Sequence, residues 1–436
     1  MTRSFHEDNL TPHDMVIELP GDVIDHIISQ LDSNPIGTLK SFSLINRQWL
    51  FYAQPRLFRR LLVIMHMLSC EKQDCGVKNL RELITQSPRI ASYFRMLVVY
   101  ANGWLDREGN YIPGEMCALD EVEWVIPRLE NLNELQIMKF GSSGGPGEIL
   151  IWDRFEKRVI DVLLGVLRLP GLQKLRIENI GGVPVKILPS SLRTLELART
   201  NVVDGEGQEL GEDGPHAHLS STWLTSRVEL QELVLKMLPS GEERETTIPT
   251  LRALFMERWP NSLAELKRLS LVLRQGEEEE FAASIVRHAA KSLARLTLDV
   301  DTPDSLDLFV TALRHLVSLK SLLIRFKSKS SMRNVCALST NVLRALVDCP
   351  LVEILLLLNW RQDENFTFGD ECCWDEINSA MVHWATKGTL DRVLIMVSIR
   401  TRYASPPFQT WTLKQAMKTH LSGVETRGLL EILWMG

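Results

Sequence analysis

Cysteine and histidine are the residues in this chain best suited to bind a metal ion, and they are scattered. The seven cysteines lie at positions 70, 75, 117, 336, 349, 372 and 373. Neither the first two nor the adjacent last two have a second pair at the spacing of a zinc site. His216 and His218, even with Asp213 nearby, do not complete a four-ligand set. We therefore predict reduced thiols and no metal ion.

Patterns that would indicate catalysis are also missing. Glu277–Glu280 places four carboxylates at the start of a helix, where the helix macrodipole favours negative charge, so they need no catalytic role. The glycine-rich loop 141–147 lacks the Lys-Ser/Thr pair of a phosphate-binding loop. His-Glu-x-x-His and Gly-x-Gly-x-x-Gly do not occur. We predict that the protein is not an enzyme and needs no cofactor.

Charge and hydropathy limit the classes of partner. The net charge of -6 and the pI of about 6.0 give no long-range attraction for nucleic acid or for an anionic membrane. No run approaches the roughly eighteen apolar residues of a membrane-spanning helix, and the first fifteen residues lack the apolar stretch of a secretory signal. We expect a cytoplasmic or nuclear protein with no nucleic-acid or membrane partner. The basic stretch 325–333 could contact an acidic partner, but a solvated loop is the expected state.

A Leu-x-x-Leu-x-(Leu/Ile) motif recurs along most of the chain, each copy preceded by a stretch of helical periodicity. Steps between the middle leucines range from 20 residues (175 to 195) to 40 residues (135 to 175). The middle residues of the ten copies are Leu97, Leu135, Leu175, Leu195, Leu233, Leu269, Leu296, Leu322, Leu355 and Val393. Units of this size pack their apolar faces against their neighbours, so we predict one helix and one short strand per unit, with parallel strands side by side.

Residues 18–58 differ from the repeat. Pro20 suits the first turn of a helix, and the apolar residues that follow it form one broad stripe at helical spacing. Residues 32–37 break that helix, and two more short helices follow before Pro55. The apolar set of the second helix is Leu39, Phe42, Leu44 and Ile45. Three short helices carry more apolar side chains than so small a unit can bury, so the sequence predicts a partner surface.

The order of residues in this stretch resembles an F-box. It begins with Leu19-Pro20, continues through a polar break to Ser43-Leu44-Ile45, and closes on Leu57-Phe58. The repeats resemble leucine-rich repeats, and the combination is similar to large fungal F-box families. The resemblance implies an α/β protein in which a three-helix F-box precedes a curved leucine-rich-repeat-like solenoid, with parallel strands on the concave face and helices on the convex face. The expected segments are a disordered lead at 1–15, the F-box at 16–60 and the solenoid at 61–436, with long loops at 102–116, 141–147, 201–226 and 361–371.

The resemblance also implies a function. F-box proteins dock on a Skp-family adaptor, which links them to a cullin and a ubiquitin ligase, while the second domain holds a substrate protein. The residues implied for adaptor binding are Leu19, Pro20, Val23, Ile27, Leu31, Leu39, Leu44 and Trp49. A protein-interaction scaffold that takes no part in ubiquitination is the alternative. A plain repeat protein, in which the helices merely cap the array, is a third reading.

A substrate surface is expected on the concave face of the strands, where side chains alternate with those of the core. In the first units these positions are mixed and polar, whereas in the last units they are apolar. The apolar positions are Leu323, Leu356, Leu358, Leu394 and Met396. Either this patch receives the substrate, or a loop or the C-terminal segment covers it. Burial of these side chains below a few per cent would exclude direct binding.

Overall fold

The computed structural model describes most of the 436 residues. The described ranges are 20–30, 36–45, 47–66, 76–101, 103–105, 111–113, 115–116, 119–139, 150–203, 228–236, 242–259, 261–274, 276–301, 306–326, 332–361, 374–400 and 407–435. The predicted lead at 1–15 and loop at 141–147 lie outside these ranges, as do most of the predicted loops at 201–226 and 361–371. The predicted loop at 102–116 is described in part and contains three short strands, Gly103–Leu105, Tyr111–Pro113 and Glu115–Met116.

Helices are distributed over the whole described chain. They are α1 (Gly21–Gln30), α2 (Ile36–Ser43), α3 (Arg47–Leu57), α4 (Gly76–Gln86), α5 (Leu119–Val125), α6 (Lys157–Leu167), α7 (Glu242–Arg252), α8 (Glu277–His288), α9 (Asp307–Leu313), α10 (Met332–Ala345), α11 (Trp374–Lys387), α12 (Pro407–His420) and α13 (Ser422–Glu425). Short 3-10 turns supplement them, at Pro88–Tyr93 for example, and a π-helical turn at Ala253–Arg258 continues α7.

Within the described ranges, nineteen strands accompany the helices. They are β1 (Arg60–His66), β2 (Met96–Ala101), β3 (Gly103–Leu105), β4 (Tyr111–Pro113), β5 (Glu115–Met116), β6 (Glu134–Lys139), β7 (Leu150–Ile151), β8 (Lys174–Glu178), β9 (Ile180–Gly181), β10 (Val183–Pro184), β11 (Thr194–Ala198), β12 (Val202–Val203), β13 (Glu232–Lys236), β14 (Arg268–Leu273), β15 (Arg295–Val300), β16 (Ser321–Phe326), β17 (Glu353–Arg361), β18 (Arg392–Arg400) and β19 (Leu430–Met435).

Thirteen of these strands form one sheet. Its order is β19-β18-β17-β16-β15-β14-β13-β11-β8-β6-β2-β1-β5. All neighbours are parallel except the edge strand β5, which pairs antiparallel with β1. The other six strands form three two-stranded pairs. The predicted mixed α/β class with a long parallel sheet is therefore confirmed.

The register of the sheet explains the repeated leucines. From Leu97 to Leu322, the middle residue of each motif lies opposite the middle residue of the next, as Leu269 does with Leu296 and Leu296 with Leu322. All of these side chains are buried in one core that extends from Leu61 to Ile432. The helices contribute the other half of this core through residues such as Phe255 and Phe281, whose rings stack with centroids 6.4 Å apart. Because each unit buries its strand and helix against its neighbours, the core is continuous along the array.

One strand differs from the predicted register. Leu322 of β16 pairs with Ile354 of β17, and Ile354 pairs with Val393 of β18, so Ile354 and not Leu355 is the core position of that unit. Residues 354–358 are all apolar, so no alternation with polar residues marks which side chains face the core. The offset of one residue reverses the faces of every side chain in the strand.

A buried thiol in this core provides a chemical test of the packing. Cys349 is 3% exposed and its Sγ lies 3.0 Å from the carbonyl oxygen of Leu316. Burial raises the pKa of the Cys349 thiol to about 11, and the neighbouring Asp348 carboxylate acts in the same direction. Because the thiolate is the reactive form, Cys349 should resist alkylation at pH 9 in the folded protein and react when the protein is unfolded.

Peptide-level mass spectrometry after iodoacetamide treatment measures this reactivity. The raised pKa of Cys349 also predicts a pH dependence of the free energy of unfolding. The contribution of the thiol is complete below about pH 9 and declines as the pH rises towards 11, because Cys349 ionises at a lower pH in the unfolded chain than in the folded protein. Rapid alkylation of Cys349 in the folded protein at pH 9 would contradict the packing.

Candidate functional site: the apolar surface of the N-terminal helices

The three N-terminal helices have a small core of their own, separate from that of the sheet. It consists of Ile24, Ile28, Leu39 and Ala53, each at most 5% exposed. Phe42, Trp49, Tyr52 and Leu57 pack around it, and the rings of Phe42 and Trp49 stack with centroids 4.8 Å apart. Arg56 of α3 also pairs with Asp25 of α1 at 3.2 Å. These contacts hold the helices together, but four buried side chains are few for a unit of this size.

Helix α3 connects this unit to the sheet. It is followed almost directly by β1, and Phe58 packs edge to face on Phe94 with ring centroids 6.1 Å apart. The backbone N–H of Arg95 donates to the carbonyl of Arg59 at 2.9 Å, which extends the first pair of strands towards the helices. The helices therefore adjoin the β1 end of the array.

The same unit exposes large apolar side chains on all three helices or their ends. Leu44 is 84% exposed, Phe51 59%, Ile45 56% and Val23 38%. Nine large hydrophobic side chains are exposed among the described residues, and these four belong to residues 21–57. Apolar area in water is unfavourable by roughly 25 cal/mol per Å², so this concentration in one small unit makes these helices a candidate interaction surface. We call these four residues the apolar surface.

The eight residues expected to bind an adaptor divide into three groups. Val23 and Leu44 belong to the apolar surface, Pro20 is exposed beside it, and Ile27 is half-buried. Leu39 belongs to the small core and the half-buried Trp49 packs against it, so both help to hold the helices together. Leu19 and Leu31 lie outside the described residues.

Sequence reasoning missed two members of the apolar surface. Ile45 was assigned, with Leu44, to the apolar set of the second helix and was not selected for adaptor binding. Helix α2 ends at Ser43, and both residues follow in a turn, so helical spacing does not apply to them. Phe51 was not selected at all. On α3 it lies between Trp49 and Ala53, which both face the core, so helical geometry directs Phe51 away from it.

The second candidate surface is the face of the sheet opposite the main core, which we call the open face. Near β8, β11 and β13 it carries ion pairs: Arg176 contacts Glu178 at 2.6 Å and Glu196 at 3.7 Å, and Lys236 contacts Glu196 at 3.6 Å. Further along, Arg325 Nη1 contacts both carboxylate oxygens of Asp299, at 3.0 and 3.1 Å. This half of the open face is polar and internally charge-paired.

The open face becomes apolar from β16 onwards, but with different residues from those expected. Leu356 and Leu358 are 1% and 4% exposed and belong to the main core, which corrects their predicted place on the substrate face. The physical reason is the one-residue offset of β17. Leu323 and Met396 are half-buried on the open face, and Leu394 lies beside them with 6% exposed. Leu355, Leu357 and Leu433 complete this apolar patch.

The described residues offer little chemistry beyond these surfaces. Within them no group of three or more His, Cys, Asp or Glu side chains is arranged to hold a metal ion. Residues 141–145 match Gly-x-Ser-x-Gly, which corrects the expectation that such catalytic patterns are missing, and these residues and the His216–His218 pair lie outside the described ranges. No helix in the described part of the chain is long and apolar enough to cross a membrane. Neither a protein-family model nor a curated protein matches the chain.

Proposed function

We propose that the protein is the substrate-recognition subunit of a Skp–cullin–F-box ubiquitin ligase. In this proposal α1–α3 form an F-box that docks a Skp-family adaptor, and the remainder is a curved leucine-rich-repeat-like solenoid that binds the substrate protein. The proposal joins two supports: the F-box-like order of residues 19–58, and the presence of an apolar surface on the helices that carry it. The protein itself performs no chemistry, and it raises the concentration of substrate lysines near the ligase.

The exposure of Leu44 and its neighbours is the observation that carries the proposal. A side chain such as Leu44, 84% exposed, contributes nothing to the fold, yet it lies in the segment whose order resembles the adaptor-binding motif. A helical cap that only sealed the array would direct its apolar residues towards β1. Apolar side chains that point into solvent favour a separate protein partner over a cap.

Substrate binding is assigned to the open face. Its polar half, with Arg176 and Glu196, offers charged groups that are already paired, whereas the patch around Leu355 and Leu357 offers apolar area. A substrate segment with an apolar anchor fits this second half better, because binding there does not require existing ion pairs to be broken.

Co-purification from cells that express the chain with a Skp-family adaptor and a cullin tests the proposal. The double variant Leu44→Ser, Phe51→Ser should retain its fold, because neither side chain is buried, and should bind the adaptor about tenfold more weakly or worse. The matched control is Leu308→Ser with Val347→Ser, which removes two exposed apolar residues of the array and should leave adaptor binding unchanged.

Three outcomes would contradict the proposal in different ways. Absence of adaptor from the wild-type preparation would contradict the proposal that α1–α3 form an F-box. Equal loss of adaptor binding in both double variants would contradict the apolar surface as the binding site. Adaptor binding without ubiquitin transfer to any bound protein would contradict the ligase function and favour a scaffold.

A further inference from the structure

A strip of positive charge lies along the N-terminal ends of three neighbouring interior strands, β14, β15 and β16. Its members are Lys267, Arg268, Lys291, Arg295 and Lys320, all exposed. We call these five residues the basic edge. They contrast with the overall charge of the chain, which is -6.

The register of the sheet brings these residues together from distant parts of the sequence. Arg268 lies directly opposite Arg295 in the neighbouring strand. The backbone N–H of Arg295 donates to the carbonyl of Lys267 at 2.9 Å, and the backbone N–H of Lys320 donates to the carbonyl of Ala294 at 2.9 Å. Neighbouring strands are about 4.8 Å apart, so the cations from Lys267 to Lys320 span about 10 Å, a length that an extended segment of about four residues covers.

Counter-charges are few at this edge. Among the described residues only Arg268 of the five forms an ion pair, with Glu232 at 3.5 Å. The turns 287–295 and 313–321 contain no acidic residue, and Glu265 is the single acid in the turn before β14. Helix C-termini favour cations, but that effect is confined to the last turn and does not account for residues at the start of strands.

The arrangement is unfavourable for the free protein. Like charges in directly opposed positions of adjacent strands repel each other, and Arg268 and Arg295 occupy such positions. A surface that retains this repulsion gains stability from any ligand that supplies negative charge. The geometry therefore points to an anionic ligand.

An exposed apolar side chain selects among anionic ligands. Val317 is 59% exposed, and its turn lies against that of Lys291, because the Val317 N–H donates to the carbonyl of Ala290 at 3.3 Å and the Ser318 hydroxyl donates to that of Lys291 at 2.8 Å. None of these residues is aromatic, so no ring is available to stack on a nucleic-acid base.

We propose that the basic edge binds an acidic polypeptide segment that carries an apolar side chain, with its carboxylates among the cations of the basic edge and the apolar group on Val317. This inference does not rest on the proposed ligase function, since it involves neither α1–α3 nor the open-face patch. The overall negative charge of the chain disfavours a nucleic acid as the ligand and leaves the local cations to select a short acidic segment.

Fluorescence anisotropy with the full-length chain tests this directly. The probe is a short labelled peptide of alternating glutamate and glycine with one central leucine, and its control replaces each glutamate by glutamine. We expect saturable binding of the acidic peptide that weakens as salt is added, and no binding of the glutamine peptide. The assay contains no adaptor, so its result is independent of the ligase proposal.

Matched charge reversals locate the site. Arg295→Glu with Lys320→Glu should weaken peptide binding about tenfold or more, since each residue changes from attraction to repulsion. Lys174→Glu with Lys387→Glu changes the net charge equally at two other exposed lysines and should leave binding nearly unchanged. Arg295→Gln should weaken peptide binding, because it removes one cation. It should maintain or raise the melting temperature of the protein, because it also removes the repulsion with Arg268.

Other results would overturn the proposal. Equal weakening by the two double reversals would show that only net charge matters. Absence of saturable binding at low salt would show that the edge has no such ligand. Tighter binding of a single-stranded oligonucleotide that displaces the peptide and is lost in the Arg295→Glu, Lys320→Glu variant would assign the edge to nucleic acid instead.

Discussion

Replacement of Ile354 by aspartate is expected to unfold the C-terminal part of the array, whereas the same change at Leu355 is expected to leave it folded. Ile354 is 0% exposed and lies opposite Leu322 and Val393 of the two strands that flank β17. An aspartate there would have no partner for its charge, which costs about 4 kcal/mol or more of the free energy of unfolding. Leu355 points to the open face, where a carboxylate can be hydrated, and its loss should cost about 1 kcal/mol.

Urea titration followed by tryptophan fluorescence measures both variants under the same conditions. Trp374 and Trp384 are buried in the adjoining helix α11 and report on this part of the array. Both substitutions replace an aliphatic side chain of the same size by aspartate, and they are adjacent in sequence. The difference between their urea midpoints therefore reports which of the two side chains faces the core. Equal destabilisation, or a greater effect at Leu355, would restore the register that the leucine spacing had suggested.

Loss of the Glu279 carboxylate is expected to be the second large effect. Glu279 of α8 is 7% exposed, and its Oε1 accepts hydrogen bonds from the N–H groups of Leu308 and Phe309 at 2.7 and 3.0 Å. These N–H groups belong to the first turn of α9, where a helix has no backbone acceptor for them. One carboxylate thus links two successive units.

Glu279→Ala should therefore lower the free energy of unfolding by about 3 kcal/mol, because two N–H groups lose their acceptor within the protein. Glu279→Gln keeps a side-chain oxygen that can accept the same hydrogen bonds, so it should recover about half of the lost free energy of unfolding. The other half is due to the interaction of the carboxylate charge with the N-terminus of α9. Thermal unfolding by circular dichroism compares the two variants with the wild type. If Glu279→Gln were as unstable as Glu279→Ala, the hydrogen bonds would not be the source of the effect.

The sequence was sufficient to predict the repeat and its strands because period-two alternation is strong in most copies. Leu296-Thr297-Leu298, for example, alternates apolar and polar residues, and the strand places its leucines in the core as expected. In β17 the residues from Ile354 to Leu358 are uniformly apolar, so only the pairing with β16 and β18 sets the register.

Functional surfaces were harder to predict, because they depend on tertiary structure. The apolar stripe of α1 was clear from the sequence. The apolar set of the second helix, however, does not reveal that Leu39 is buried while Leu44 is exposed, because that depends on where α2 ends and how it packs on α3. The basic edge could not be read from the sequence, since Arg268 and Arg295 are separated by a complete unit and meet only through the register of the sheet. The sequence had drawn attention instead to the basic stretch 325–333, most of which lies outside the described residues.

Three surfaces of the molecule can be tested by separate substitutions. The apolar surface adjoins β1, the basic edge lies at β14–β16, and the apolar patch of the open face lies at β16–β19. The apolar surface is far from the other two in strand order, so a substrate and an adaptor could be bound together. Substitutions in the apolar surface should therefore leave the basic edge and the apolar patch unchanged, whereas those two surfaces share β16.

Isothermal titration of the purified full-length chain with a purified Skp-family adaptor tests the central claim most directly. We predict one-to-one binding with a dissociation constant of about 1 µM or lower and a negative heat-capacity change, because the apolar surface around Leu44 and Phe51 leaves water on binding. Absence of binding at adaptor concentrations of about 100 µM, or binding that Leu44→Ser with Phe51→Ser leaves unchanged, would contradict the assignment of α1–α3 as an adaptor-docking unit.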